Sequence, residues 1–229
     1  MSRSFRDFIR LVIDGDVERV SSRLAASPSL ATAAARDGAT RDVSVTFFFA
    51  DIKHYLYAGD TALHMAAAAF QRPMAELLIA HHADCRAKNR RGAEPLHYAA
   101  DANRWEPERQ ADVIECLIAA GADPRAVDKS GVAPLHRAVR TRSLAAVRAL
   151  VDGGADVGQR NASGSTPLHL AVQNTGRGGS GASRAREQQA GIIRFLIERG
   201  AKLGDRDGNG KDVRRAASSE AIRALLDAR

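Results

Sequence analysis

Seven histidines are the residues of this chain best suited to acid–base or metal chemistry. Four of them, His64, His97, His136 and His169, follow a leucine, and the spacings between them are 33, 39 and 33 residues. Zinc ligands must lie about 2 Å from one shared ion. Residues that recur once per helical unit lie about 10 Å apart instead, the usual spacing of packed helices. We therefore expect one repeated structural role for the four histidines and no metal site.

The remaining reactive residues do not match a known catalytic or cofactor motif. The sequence has no Gly-x-Ser-x-Gly, His-Glu-x-x-His or kinase signature. Cys85 and Cys116 are too few for a paired-cysteine metal site, and both are expected to be reduced thiols. His81 and His82 are adjacent at a predicted helix end, where their side chains would point apart. We expect neither enzymatic activity nor a cofactor.

The positive charge of the chain is concentrated towards the carboxyl end. Lys and Arg number 34 against 27 Asp and Glu, a net charge of +7. Residues 160–229 alone carry thirteen basic and seven acidic residues. A basic surface attracts acidic proteins, nucleic acids or anionic surfaces. The alternative is an ordinary solvated surface, because 29 of the basic residues are Arg, a preference typical of a GC-rich bacterial genome.

The hydropathy pattern predicts a cytoplasmic protein. Membrane-spanning helices need roughly 18 or more consecutive apolar residues, and the sequence contains no such stretch. Charged residues interrupt the apolar residues of the first 20 positions. A secretory signal needs a continuous apolar run and a small-residue cleavage site, so we expect none here.

The four histidines belong to a repeated unit, and internal repeats identify architecture more directly than single motifs do. Each unit contains a tetrapeptide related to Thr-Pro-Leu-His, which begins at Thr61, Glu94, Ala133 and Thr166. A glycine precedes each tetrapeptide by two residues, at Gly59, Gly92, Gly131 and Gly164. A pair of small residues, a pair of larger apolar residues and a Gly-Ala-Asp-like segment follow in the same order each time.

This pattern resembles the ankyrin repeat, whose unit is a turn followed by two antiparallel helices. The resemblance covers residues 58–205 closely and both ends more loosely. It implies an all-α solenoid of about six helix-turn-helix units, with two caps and four central repeats. Proline in the first helical turn and glycine after the second helix fit this unit. His82 replaces that glycine in the first central repeat, at a modest local cost.

The repeat boundaries divide a single domain into seven segments. Capping helices occupy 1–37, and an insertion follows at 38–57. The central repeats are 58–90, 91–129, 130–162 and 163–207, and a cap covers 208–229.

Residues 38–57, the aromatic insertion, contain five of the eleven aromatic residues of the chain. These five are Phe47, Phe48, Phe49, Tyr55 and Tyr57. One interpretation is an exposed element that binds a partner. The favoured interpretation is a helix or arm that folds onto the first units and completes their core, because large isolated apolar patches are rare on soluble monomers.

Two further insertions lengthen connections within repeats. The one near Asn103–Arg109 contains Trp105, which we expect to cover the helix ends rather than to be a binding hot spot. The other, Asn174–Gln188, is rich in glycine and predicted to be a mobile loop. Its glycines, with Arg177, Arg184 and Arg186, offer a less favoured alternative, an anion site built on backbone N–H groups.

The resemblance implies a monomeric, non-catalytic module that binds a partner protein through its concave side, formed by the turn tips and first helices. Residues beside each turn glycine and after each small pair are expected to face outward there. They are Tyr57, Asp60, Arg90, Arg91, Asp101, Lys129, Val132, Arg140, Ser165 and Gln173. The basic members suggest a partner with an acidic patch. Alternatives are nucleic-acid binding through the Arg-rich carboxyl-terminal half and binding of a small anionic ligand.

Overall fold

The computed structural model describes residues 3–101, 105–173, 183–217 and 219–227. Within these ranges the chain forms twelve α-helices. The first six are α1 (Arg3–Asp14), α2 (Val17–Ala26), α3 (Ala62–Ala68), α4 (Arg72–Ala80), α5 (Pro95–Ala99) and α6 (Pro107–Ala119). The others are α7 (Pro134–Thr141), α8 (Leu144–Asp152), α9 (Pro167–Ala171), α10 (Ser183–Glu198), α11 (Val213–Ala216) and α12 (Glu220–Asp227).

The helices form two layers. The odd-numbered helices α1 to α11 contact one another in series, and this series is the first-helix layer. The even-numbered helices α2 to α10 contact one another in the same way and form the second layer. This arrangement confirms the all-α repeat solenoid, whereas the number of units that count as ankyrin repeats stays a prediction.

The repeated histidines fix the start of each first helix. His64 Nδ1 accepts the backbone N–H of Thr61 at 3.1 Å, and its Nε2 lies 3.1 Å from the carbonyl oxygen of Ala93 in the next turn. Because a carbonyl only accepts, the ring is neutral with its proton on Nε2. The other three histidines bond in the same way to the carbonyls of Val132, Ser165 and Lys211. All four are buried, so the prediction of a shared structural role is confirmed.

The ends of the second helices follow the expected turn chemistry. Gly121, Gly154 and Gly200 adopt left-handed backbone angles, with φ between 94° and 99°. His82 holds the equivalent place with φ 65°, which a residue with a side chain adopts at a cost. The small pairs that follow the histidines are buried in the core, where they allow neighbouring helices to approach closely.

Two regions differ from the sequence-based picture. The aromatic insertion contains two short strands, β1 (Phe48–Phe49) and β2 (His54–Tyr55), which pair antiparallel. The prediction of a mobile loop over Asn174–Gln188 is wrong for residues 183–188, because they form the first turns of α10. Residues 174–182, and with them the glycines and Arg177 of the alternative anion site, lie outside the described residues.

Candidate functional site: a basic and aromatic cavity

The aromatic insertion is closed at its base. The Ala39 N–H donates to the Leu56 carbonyl at 2.8 Å, so the chain enters and leaves the insertion side by side. Gly38 permits this close approach, since a Cβ at that position would lie 2.2 Å from the backbone nitrogen of Ala58. A further pair of hydrogen bonds joins Ala35 to the segment that leads into α3. The insertion is therefore anchored to the first-helix layer by its backbone.

The favoured interpretation, that the insertion completes the core, is confirmed in part: Phe49 is buried, whereas Phe48 is exposed and the other three aromatic residues are half-buried. Phe49, Ile52 and Leu56 are at most 4% exposed. The guanidinium groups of Arg6 and Arg10 on α1 each lie 5.9 Å from the centre of the Phe49 ring. The insertion thus packs against the amino-terminal cap and presents its second strand to the neighbouring repeats.

A cavity of about 490 Å³ lies between the second strand of the insertion and the first helices of the second and third central repeats. Its volume is in the range of small-molecule and side-chain pockets. The lining residues come from the insertion, from the turn before α5, from α5 itself and from α7. They are Lys53, His54, Tyr55, Tyr57, Asn89, Arg91, Ala93, Tyr98, Asp101, Arg137 and Arg140.

One side of the cavity floor rests on a buried carboxylate. Asp60 is fully buried and accepts the Tyr98 hydroxyl at 2.8 Å and the Asn89 side-chain amide at 2.8 Å. Its other oxygen accepts the Tyr57 N–H at 2.6 Å. Burial, followed by the Asp60 charge, raises the pKa of Tyr98 well above its usual value, so this hydroxyl stays protonated and donates. The network holds the Tyr98 ring in one position.

The other side of the floor is a buried ion-pair network. Arg137 donates to Asp101 and to Asp128, each at 2.7 Å, and the three side chains are 10% to 17% exposed. Burial would raise the pKa of Asp128, but hydrogen bonds from Arg137 and from the backbone outweigh it and the pKa is lowered. The Arg137 charge is therefore neutralised by Asp101 and Asp128, and this network holds the floor together.

Two histidines near the floor are kept neutral. Burial lowers the pKa of His54, whose ring centre lies 4.4 Å from that of Tyr98. Burial, with the charge of Arg137 as the next cause, lowers the pKa of His97 to about 4. Neither ring adds positive charge to the cavity at neutral pH.

The rim of the cavity carries three exposed cations, Lys53, Arg91 and Arg140, which we call the rim cations. The Arg91 guanidinium lies 5.0 Å from the centre of the Tyr57 ring. Arg140 lies 3.7 Å from the nearer oxygen of Asp101. In the described part of the chain no ion pair forms at Lys53 or Arg91. The site combines aromatic walls with two exposed cations, Lys53 and Arg91, that have no ion-pair partner in the described part of the chain.

The structure brings together four of the ten residues predicted to face a partner. Tyr57, Arg91, Asp101 and Arg140 line the cavity. Arg90 and Lys129 are exposed outside it, and Val132 and Gln173 are half-buried. Arg90 also helps to hold the aromatic insertion, because its guanidinium donates to the Ala39 carbonyl. A binding role for these eight residues stays a prediction.

The expectation of an outward orientation is wrong for the remaining two. Asp60 is fully buried because it accepts hydrogen bonds from the floor network. Ser165 is 7% exposed, and its carbonyl accepts the His136 ring of the preceding repeat.

The sequence reasoning missed seven lining residues, and a signal existed for two of them. Tyr98 and Arg137 directly follow the repeated histidine, where the first and fourth central repeats have the apolar Met65 and Leu170. A polar residue at a repeat position that is apolar in other units indicates a polar contact between neighbouring units. The contribution of Lys53, His54 and Tyr55 depends on the path of the insertion, which no repeat pattern specifies.

Three of the thirteen basic residues of 160–229 form exposed ion pairs with an aspartate. Arg199 lies 2.7 Å from Asp152, Arg160 pairs with Asp205, and Arg214 pairs with Asp227. Trp105 is 44% exposed, and the Arg184 guanidinium lies 5.3 Å from its ring centre. That Trp105 covers the helix ends stays a prediction.

Other classes of site were sought in the described residues. No cluster of three His, Cys, Asp or Glu side chains suited to a metal ion occurs among them. Both cysteines are buried and unpaired by a disulfide. The described helices include none with the length and apolar character that spanning a membrane requires.

Comparison with known proteins gives a family assignment. The sequence profile of ankyrin repeats, which comprises three copies, matches residues 30–107 and 107–207. Comparison with curated proteins gives no match. The family match covers most of the chain and includes both the aromatic insertion and the repeats that form the cavity, and the protein belongs to the ankyrin repeat family.

Proposed function

We propose that the chain is a non-catalytic module that binds an acidic segment of a partner protein on the first-helix layer, with the cavity at the centre of the contact. Ankyrin repeats are generally protein-interaction modules, and this chain has the repeat architecture. The observation that carries the proposal is the cavity itself, where rim cations surround aromatic walls. Electrostatic complementarity of this kind sets the specificity and speed of association.

The pattern of buried and exposed residues at the site supports a role in binding a partner rather than a purely structural role. Its floor is held rigid by the Asp60 and Arg137 networks, and its rim is exposed. Pre-organised side chains lose little conformational entropy when a partner binds. Aromatic and Arg residues, which dominate the cavity, are the residue types enriched at interface hot spots.

Quantitative affinity capture tests the proposal. The tagged chain, an Arg91→Glu/Arg140→Glu variant and an Arg194→Glu control are each exposed to lysate of the source organism. Arg194 is an exposed residue of α10 in the second layer, so its reversal changes net charge without touching the cavity. We expect proteins captured by the wild type and by the control to be lost with the double variant.

Equal recovery of the same proteins by all three chains would overturn the placement of the interface. Circular dichroism and thermal unfolding of each variant verify that the repeats are intact. Raising the salt concentration provides a second readout, because association steered by exposed charges slows as ionic strength rises.

Nucleic-acid binding through the carboxyl-terminal half remains the second candidate, because residues 160–229 keep thirteen basic against seven acidic residues although Arg160, Arg199 and Arg214 form ion pairs. It predicts an affinity for nucleic acid that falls steeply with salt, because each phosphate contact releases a counterion. A gel shift at low salt tests this directly.

A further inference from the structure

We infer that the cavity is a receptor for a single carboxylate group, which the acidic segment of the partner inserts between the rim cations. This inference rests on the proposed function and specifies its ligand chemistry. It follows from the charge balance of the lining, from the bonding of the turn beside it and from the aromatic row that leads to it.

The lining has more positive than negative groups. Lys53, Arg91, Arg137 and Arg140 are cationic, and Asp101 is the one carboxylate among the lining residues. Arg137 is already shared between Asp101 and Asp128, and Asp101 also has Arg140 beside it. With Asp60 and Asp128 beneath the floor, three carboxylates face the four cations and leave a net charge of +1. The cations without an ion pair among the described residues are Lys53 and Arg91.

The turn beside the cavity distinguishes a carboxylate from a phosphate. Phosphate sites commonly use several free backbone N–H groups. Here the N–H groups of Arg91 and Ala93 both donate to the Asn89 side-chain oxygen, at 2.8 and 3.1 Å. The Arg90 N–H donates to the Ala58 carbonyl. These backbone N–H groups are therefore not available to a ligand, and the net single positive charge of the site matches a singly charged carboxylate.

A row of aromatic rings leads from the surface into the cavity. Phe48, 37% exposed, packs on Tyr55 with ring centres 4.8 Å apart, and Tyr55 lies 6.3 Å from Tyr57. Three residues before Phe48 in the sequence, Val45 is 85% exposed. A partner segment with an apolar residue near its acidic residue would cover this row while the carboxylate reaches the rim cations.

The test uses small probes observed by ¹H–¹⁵N NMR of the full chain. N-acetyl-glutamate α-amide presents a side-chain carboxylate, and N-acetyl-alanine presents a main-chain carboxylate. N-acetyl-glutamine α-amide is the neutral isostere, and inorganic phosphate is the alternative anion. We expect both carboxylates to shift the amide signals of Lys53, Tyr55 and Arg91 at concentrations where the neutral isostere does not.

Charge-removing variants locate the site. Lys53→Gln and Arg91→Gln should each weaken carboxylate binding about tenfold, the usual effect of losing one charge-assisted hydrogen bond. Arg194→Gln should leave the affinity unchanged. The tighter of the two carboxylates identifies whether the partner presents an acidic side chain or its chain end, and either result supports the inference.

Three results would overturn it: equal binding of the neutral isostere, tighter binding of phosphate than of both carboxylates, or signal changes confined to other parts of the chain. The outcome of the capture experiment is independent of the outcome of the probe experiment. Capture that depends on Arg91 without probe binding would retain the interface and reject the carboxylate receptor, and probe binding without capture would do the reverse.

Discussion

Helices α5 and α7 begin with the same Leu-His motif as α9, yet the surfaces that they build differ. The residue after the histidine is Tyr98 in α5 and Arg137 in α7, and each anchors a buried polar network under the cavity. The equivalent residue of α9 is Leu170, which packs against the apolar core. None of the described residues of α9 lines the cavity.

The comparison shows that the residues that form the repeat are distinct from the residue that makes its surface polar or apolar. The histidine ring makes the same two kinds of contact in each repeat, whatever follows it. One position per unit, directly after the histidine, determines whether the turn of the preceding repeat meets a polar or an apolar side chain. The polarity of this surface can therefore differ between repeats that share the same helical scaffold.

Giving α7 the residue of α9 should have the largest effect. Arg137→Leu leaves Asp101 and Asp128 as poorly compensated carboxylates, and breaking a buried ion pair in this way costs about 3–5 kcal/mol. Urea unfolding measures the loss. The control is Arg140→Leu on the same helix, whose side chain is 46% exposed and whose loss should cost less than about 1 kcal/mol. Equal costs for the two variants would contradict the buried network.

The acid sensitivity of the fold should follow from the neutral histidines of this region. His97 has a pKa of about 4 in the folded chain against 6.5 ordinarily, so between these values the unfolded chain binds the additional proton. The free energy of unfolding should be constant above about pH 6.5 and fall towards pH 4, by about 3 kcal/mol from this residue. Burial lowers the pKa of His64 and His136 in the same direction.

Urea unfolding between pH 7.5 and pH 4 measures the decline. Arg137 is the second cause of the His97 shift, so in Arg137→Leu the pKa of His97 should rise and the decline should be shallower. A free energy of unfolding that does not change over this pH range would show that the histidines titrate normally in the folded chain.

The sequence predicts the scaffold well because its determinants are local and recur. Each repeat has glycine in the turn, proline and histidine in the first helix and small residues after them. Each residue type has one structural role, and repetition makes the pattern recognisable. The positions of these residues within each repeat therefore predict where the helices lie and what the histidines do. They also place Tyr57, Arg91, Asp101 and Arg140 on one surface.

The cavity was not predictable, because its other wall comes from outside the repeat. Lys53, His54 and Tyr55 meet the repeats only after the aromatic insertion folds back, and that path depends on packing of Phe49 against α1. Asp60 was expected to face outward from its position beside a glycine. The hydroxyl of Tyr98, 38 residues away in sequence, makes burial of that carboxylate favourable.

Removing one hydroxyl should sharpen the comparison between α5 and α9. Tyr98→Phe keeps the ring and deletes the hydrogen bonds to Asp60 at 2.8 and 2.9 Å. Loss of a buried hydrogen bond to a charged group should lower the free energy of unfolding by about 1.5–3 kcal/mol. Thermal and urea unfolding measure it. Tyr55→Phe at the half-buried cavity wall is the control and should change stability by less than about 0.5 kcal/mol.

The smallest effect should come from making the start of α5 like that of α9. Glu94 stands where α9 has Thr166, whose hydroxyl lies 2.8 Å from the His169 ring. Glu94 is buried, and no hydrogen bond to its carboxylate oxygens forms within the described chain. Lys88 Nζ lies 3.7 Å from one of these oxygens, but burial outweighs this charge and raises the pKa of Glu94. Glu94→Thr should therefore stabilise the protein at pH 7 by about 1 kcal/mol.

This gain should depend on pH. Because the folded chain holds the Glu94 proton more tightly than the unfolded chain, the wild type recovers stability as the pH falls. The gain measured by urea unfolding should therefore shrink towards pH 4.5. A gain independent of pH would mean that the new cap, rather than the removed charge, accounts for it.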